Sequence, residues 1–198
     1  RMGQSDRGAL AEDKIQQIVQ EYTTGTALRA WRYMGAHKTG ERDGKEIYTF
    51  RVWAPHAKAV SLVGDFDQWD EDAVPLSPIG GGLWEATVPG LKRYDIYKYA
   101  VRTADGRTVL KADPYAFHAE TRPGTASKLY ELGGHQWNDQ SWMEHRRAEP
   151  VYHRPLNIYE GHLGSWRRTG EGEGLSYRDI ASYLVPYGKE RGFTHVEL

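Results

Sequence analysis

From about Ile47 the apolar positions recur at every second residue. Phe50, Val52 and Ala54 alternate with Thr49, Arg51 and Trp53. Val60 and Leu62 alternate with Ser61 and Val63, Trp84, Ala86 and Val88 with Glu85 and Thr87, and Tyr97, Tyr99 and Val101 with Lys98 and Ala100. Successive side chains of a strand point to opposite faces, so this period predicts strands with one face buried. Turn signals separate the runs: Ala54-Pro55, Gly64-Asp65, Gly80-Gly81-Gly82, Pro89-Gly90 and Asp105-Gly106. Short strands between regular turns point to an antiparallel Ig-like β-sandwich, over about 44–117.

The flanks follow other rules. Residues 9–22 carry Leu10, Ile15, Ile18, Val19 and Tyr22 near helical spacing, and Thr23-Thr24-Gly25-Thr26 ends the pattern. Residues 27–34 extend it by one or two turns, making 1–43 an N-terminal helical lead-in. Residues 118–154, with Arg122-Pro123-Gly124 and Gly133-Gly134, read as a linker. From 155 the class changes. Leu156 opens a mostly apolar strand to about Leu163, and Ser176 with Asp179 three residues later marks a helix start. Ile180, Tyr183, Leu184 and Tyr187 form that helix's stripe, with Pro186 expected to kink it or tighten its end. A second strand runs from Phe193 to Leu198. Strand, helix and strand make a βαβ unit, expected here to be the first of a (β/α)8 barrel that is incomplete within 155–198.

Composition narrows the chemistry. The 198 residues hold 26 basic and 27 acidic side chains without a long run of one sign, which argues against nucleic-acid or anionic-membrane partners. No apolar run approaches a membrane span, and Arg1 to Arg7 lack the apolar core of a signal peptide. The absence of cysteine excludes disulfides and thiolate metal sites and suits a cytoplasmic protein. Seven Trp and 13 Tyr against four Phe form an aromatic set with polar edges. Sugars match such rings, because their C–H faces stack and their hydroxyls need partners.

Specific segments carry a family resemblance. Arg51-Val-Trp-Ala-Pro55, Val63-Gly-Asp-Phe-Asp-Gln-Trp69 and Tyr97-Lys-Tyr99 resemble the carbohydrate-binding module at the front of 1,4-α-glucan (glycogen) branching enzymes. Lys111-Ala-Asp-Pro-Tyr-Ala116, Arg122-Pro-Gly-Thr-Ala-Ser127, Ile158-Tyr-Glu-Gly-His-Leu-Gly-Ser-Trp166 and Thr194-His-Val-Glu-Leu198 resemble later family segments, the last two being the first barrel strands. Gly35-Ala-His37 also has a counterpart there, so the resemblance covers about 23–198. Two departures stand out. Gly161 occupies a position where a larger aliphatic residue is expected, and Arg107-Thr108 follows the Asp105-Gly106 turn where such modules usually carry a second Trp.

The resemblance implies a glucan-binding role for Trp69, on a turn, and for Lys98, which would bond sugar hydroxyls. Trp84 alternates with Glu85 as a core residue would, and is the third candidate. It further implies that the intact enzyme cleaves α-1,4 chains and transfers the segment to a 6-hydroxyl, with α-glucan, glycogen or maltooligosaccharides as partners and neither cofactor nor metal. That is retaining chemistry with a carboxylate nucleophile and an acid partner. The family's catalytic carboxylates follow later barrel strands, so no catalytic residue is expected in 1–198 and this stretch alone should be inactive. Glu160 with His162, and His195 with Glu197, lie two apart on the predicted strands and read as interior filling of a barrel. Gly170 to Gly174 lacks the lysine and spacing of a phosphate loop. A debranching or trehalose-releasing relative would share the sandwich, but the segments Lys111–Pro114 and Tyr159–Trp166 favour branching enzymes. A stand-alone glucan-binding module would have no use for a βαβ unit.

Overall fold

The computed structural model describes residues 4–198, with side chains described from Glu12 onward, so Leu10 and most of the polar start lie outside the described side chains. The chain divides into two compact units, 1–134 and 135–198.

The first unit is a two-sheet antiparallel sandwich with a helix. One sheet has the order β1 (Gly35–Arg42), β2 (Lys45–Trp53), β5 (Leu83–Pro89), β4 (Ser77–Gly80). The other has the order β3 (Ala59–Gly64), β6 (Ile96–Arg102), β9 (Ser127–Lys128), β8 (His118–Ala119), with β7 (Thr108–Lys111) also paired to β6. The period-two residues all meet between the sheets. Tyr48 lies opposite Val88, Phe50 opposite Ala86 and Val52 opposite Trp84, while Val60 opposes Val101 and Leu62 opposes Tyr99. Leu76, Leu91 and Leu129 complete this core. Each large aliphatic side chain removed from water contributes about 1.5–3 kcal/mol, so the alternation is what selects this face.

The sandwich is wider than 44–117. Its first strand begins at Gly35, inside the expected helical lead-in, and residues 27–34 contribute only a 3-10 turn at Ala30–Arg32. At the other end β8 and β9 lie within the expected linker. The helix α1 (Gln4–Thr23) packs Ile18 with Met34 and Leu83, so it covers the outer face of the first sheet. On the same outer face Thr39, Thr49 and Thr87 form a hydroxyl ladder at 2.9 and 3.1 Å, and Arg51 pairs with Glu85 directly across the strands at 2.6 Å.

A buried carboxylate joins the second sheet to the Lys111–Ala116 segment. Asp113 is 6% exposed. Its Oδ2 accepts from the Tyr97 hydroxyl at 2.7 Å and from the Tyr99 hydroxyl at 3.3 Å, and its Oδ1 accepts from the Tyr115 amide at 2.8 Å. Its own amide donates to Ser127 Oγ at 2.9 Å. Burial raises the Asp113 pKa, although the two phenols, the Tyr115 amide and His37 pull it back, and burial holds the Tyr97 and Tyr99 phenols well above their usual range.

The second unit contains the βαβ arrangement. β10 (Ile158–Glu160) and β11 (His195–Glu197) are parallel, with Tyr159 opposite Val196. Between them lie a helical turn, α3 (Leu163–Trp166), and α4 (Tyr177–Glu190). A further helix, α2 (Gln140–Ala148), stands in the stretch expected to be a linker. Ser176 caps α4 by accepting from the Asp179 amide at 3.3 Å. The helix continues past Pro186 to Glu190 and buries Ile180, Leu184 and Gly188, one residue every fourth position. Tyr183, expected in the stripe, is 51% exposed. The first strand is shorter than expected: it stops at Glu160, and the apolar run to Trp166 coils because such a run has no period that separates strand from helix. Among the described residues no helix is long and apolar enough to cross a membrane.

Removing the Asp113 carboxylate strands two buried phenols and the Tyr115 amide. Asp113→Ala is therefore expected to cost about 2–4 kcal/mol, measured by chemical denaturation. The folded state binds the Asp113 proton more tightly than the unfolded chain does, so this group's contribution is complete below the ordinary Asp pKa of about 4 and declines as pH rises through the raised folded value. The stability difference between wild type and Asp113→Asn should thus shift against the wild type as pH increases from about 4; a pH-independent difference would contradict the assignment.

Candidate functional site

The turn after β3 is built to hold one indole. Gly64 closes the strand in extended backbone, and Asp67 Oδ1 accepts from both the Gly64 amide at 2.9 Å and the Trp69 amide at 3.0 Å. Gln68 and Trp69 both adopt left-handed backbone, with φ of 59° and 63°. Two consecutive non-glycine residues there cost roughly 1–2 kcal/mol each. The Asp67 fork and the bond from the Trp69 amide to the Gly64 carbonyl at 2.9 Å offset that strain. The Trp69 indole is half-buried, and its Nε1 donates to Asp65 Oδ1 at 2.8 Å, which fixes the ring's orientation.

Register brings Lys98 to the same end of the sheet. Val63 opposes Lys98 and Gly64 opposes Tyr97. Tyr97 and Tyr99 face the core, so Lys98 projects outward, where its Nζ donates to Thr125 Oγ1 at 2.6 Å. Thr125 belongs to the segment Arg122–Ser127, and Glu120 Oε2 holds the neighbouring Ala126 amide at 2.8 Å. The ammonium of Lys98 and the hydroxyl of Thr125 are thus paired at the end of the sheet where the Trp69 turn follows β3, and rings and polar groups of these kinds can stack a sugar ring and bond its hydroxyls.

Trp84 is not on this surface. It sits in the other sheet, on the inner face opposite Val52, with its ring against the core and its Nε1 donating to the Ala54 carbonyl at 3.0 Å. Arg107 lies past the far end of β6, about 13 Å along the strand from Lys98 at 3.3 Å per residue up to Arg102. It is held by Asp105 at 2.7 Å, so no aromatic ring follows the Asp105-Gly106 turn. The sequence reading missed Thr125, Asp65 and Asp67. The Arg122–Ser127 motif pointed to the first, and the aspartates flanking Phe66 are the usual residues of a tight turn.

The second unit supplies no comparable site. Glu160 ends its strand, while His162 lies beyond it and bonds Ser165 Oγ at 2.9 Å; together with His195 and Glu197 on β11 these side chains are exposed. Among the described residues no group of His, Asp or Glu could hold a metal ion. At Gly161 an added Cβ would meet the Tyr159 ring at 3.3 Å. Tyr159 in turn accepts from Trp166 Nε1 at 2.8 Å and packs edge-on against Tyr187 and Phe193, so an aromatic cluster takes the place of the expected aliphatic residue.

The antiparallel two-sheet sandwich contains the stretch 33–116, which matches the family Carbohydrate-binding module 48 (Isoamylase N-terminal domain). Over most of its length the chain is similar to proteins named 1,4-alpha-glucan branching enzyme GlgB. It is 43% identical to that of Bacillus mycoides (strain KBAB4) across 90% of this chain, and 45% identical to that of Bacillus caldolyticus across 88%. The Bacillus subtilis (strain 168) protein is 42% identical across 88%. The chain spans 26–28% of the length of these relatives. A crystal structure of an alpha-amylase candidate from Salmonella typhimurium shares the fold, with a TM-score of 0.56 and 22% identity over 83% of this chain and 24% of that one.

Gly64 has no room for a side chain: a Cβ there would meet the Ile96 carbonyl oxygen at 2.2 Å and the Phe66 ring at 2.5 Å. Gly64→Ala is expected to destabilise the sandwich by about 1–3 kcal/mol and to alter the Trp69 environment, read by thermal denaturation and by the near-ultraviolet circular dichroism of the indoles.

Proposed function

We propose that this chain is the glucan-binding front part of a 1,4-α-glucan branching enzyme. The observation that carries the reading is the order of parts on one chain. A carbohydrate-binding sandwich precedes a parallel βαβ unit of the kind that opens a (β/α)8 barrel, and similarity to branching enzymes runs through both. The intact enzyme would cleave an α-1,4 bond by retaining chemistry, with one carboxylate as nucleophile and a second carboxyl group about 5–5.5 Å away as acid, and then pass the glycosyl group to a 6-hydroxyl. Its catalytic carboxylates belong to later barrel strands, and it works in the cytoplasm without a cofactor. Within 1–198 the work is substrate capture at the Trp69–Lys98 surface. A debranching relative would share the sandwich, but similarity to branching enzymes across about nine-tenths of the chain favours the first reading.

Trp69 supplies the stacking face, so Trp69→Ala should weaken maltoheptaose binding to the 198-residue chain by about tenfold, roughly 1.4 kcal/mol, in a calorimetric titration. Unchanged affinity removes Trp69 from the site. The 198-residue chain should form no α-1,6 branches on amylose, followed by iodine absorbance; branch formation by this polypeptide would contradict the assignment of catalysis to later strands.

A further inference from the structure

A second surface of the sandwich has the chemistry of a sugar site. Where the 3-10 turn at Ala30–Arg32 meets the start of β1 and residues 130–132, an open groove of about 440 Å³ is lined by Trp31, Phe117 and Tyr130 together with Arg32, Lys38 and Glu131. Its volume falls in the range of small-molecule sites. Trp31 is 46% exposed, with the Arg32 guanidinium 5.5 Å from its ring. Phe117 meets the His37 ring edge-on at 5.6 Å, and His37 is itself fixed by a 2.8 Å bond to the Met34 carbonyl. Tyr130 continues the aromatic surface outside the groove, 5.8 Å from Tyr94 and 5.5 Å from His118, with Arg93 4.2 Å from its centre.

Three features point away from ordinary surface packing. First, three aromatic rings line one groove, whereas single exposed aromatics are common and carry no message. Second, Tyr94 holds its exposed ring from left-handed backbone, φ 74°, pinned by a 2.7 Å bond from its amide to the Leu129 carbonyl. That strain costs about 1–3 kcal/mol and is retained at an exposed ring. Third, the groove's charges balance. Lys38 is paired with Glu46 at 2.6 Å, leaving Arg32 against Glu131, whose carboxylate also accepts from Tyr48. A balanced rim favours a neutral ligand with many hydroxyls over a phosphate, a polycation or a lipid headgroup. Among the described residues the Arg32 side chain makes no hydrogen bond or ion pair, so its donors remain available.

We infer that this groove is a second α-glucan site, with Trp31 and Tyr130 as stacking faces, Arg32 and Glu131 bonding hydroxyls, and Tyr94 and His118 extending the track for a longer chain. The inference rests on the glucan-binding reading above and adds a surface separate from Trp69 and Lys98. Two sites on one rigid module raise the apparent affinity for a long polymer without any new contact.

The test uses the 198-residue chain titrated with maltoheptaose by calorimetry, with circular dichroism confirming the fold of each variant. The wild type is expected to show two binding events. Trp31→Ala and Tyr130→Ala should each weaken one event by about tenfold and leave intact the event that Trp69→Ala weakens. Arg32→Ala, which removes no hydrogen bond or ion pair among the described residues, should weaken the same event as Trp31→Ala and guards against misfolding as the cause. Unchanged affinity and stoichiometry in all three groove variants overturns the second site, as does complete loss of binding in Trp69→Ala alone; in both cases the glucan-binding reading stands. A wild-type chain that binds no maltoheptaose overturns both.

Discussion

The sandwich depends on the carboxylate of Asp113. Tyr97 and Tyr99 alternate inward on β6 and carry their hydroxyls into the core, where an unpaired phenol would cost about 1–3 kcal/mol. Asp113 accepts from both, and its neighbours complete the arrangement: the Tyr115 amide bonds the second carboxylate oxygen, and Ser127 receives the Asp113 amide. One buried residue, through its carboxylate and its amide, thereby ties together the central strand of the second sheet, the segment after β7, and β9. The aromatic richness of the core makes this necessary, because a core of leucines would need no acceptor.

The same hub reaches the candidate site. Ser127, held by Asp113, lies two residues beyond Thr125, the partner of Lys98. The chain from 120 to 127 is thus seated by a buried bond at one end and meets Lys98 at its surface. Core and site share one physical cause: alternation on β6 sends Tyr97 and Tyr99 in and Lys98 out. The strained turn at Gln68–Trp69 fits this picture. Its left-handed backbone persists because Asp67 binds amides on both sides of it, and the result is an indole with a set orientation. Strain of this kind is held where a side chain must be aimed.

Legibility in the sequence followed the strength of periodicity. The four strands with clear alternation lie where expected, and their inward residues meet in a single core. β1 escaped because Gly35–Arg42 is mostly polar and carries a bulge between Lys38 and Gly40, as suits an edge strand. β4 sits on the opposite edge and contains Pro78, which is compatible with an edge but gives no strand signal. β8 and β9 have two residues each and exist only because β6 leaves a stretch of its edge free beside β7. In the second unit the cap at Ser176 was readable, but the end of β10 was not, since an apolar run coils or extends according to what it packs against.

By itself the sequence determined the inward face of each alternating strand, the change from sandwich to βαβ unit, and the family resemblance carried by ordered motifs. These are local or linear properties, written in spacing. Only the tertiary structure decided that Trp84 belongs to the core, that Lys98 meets Thr125, and that Trp31, Phe117 and Tyr130 share a groove. Those outcomes rest on side chains about 30 to 100 residues apart in the chain. Register across strands and the path of irregular segments bring them together, and neither is encoded in any local period.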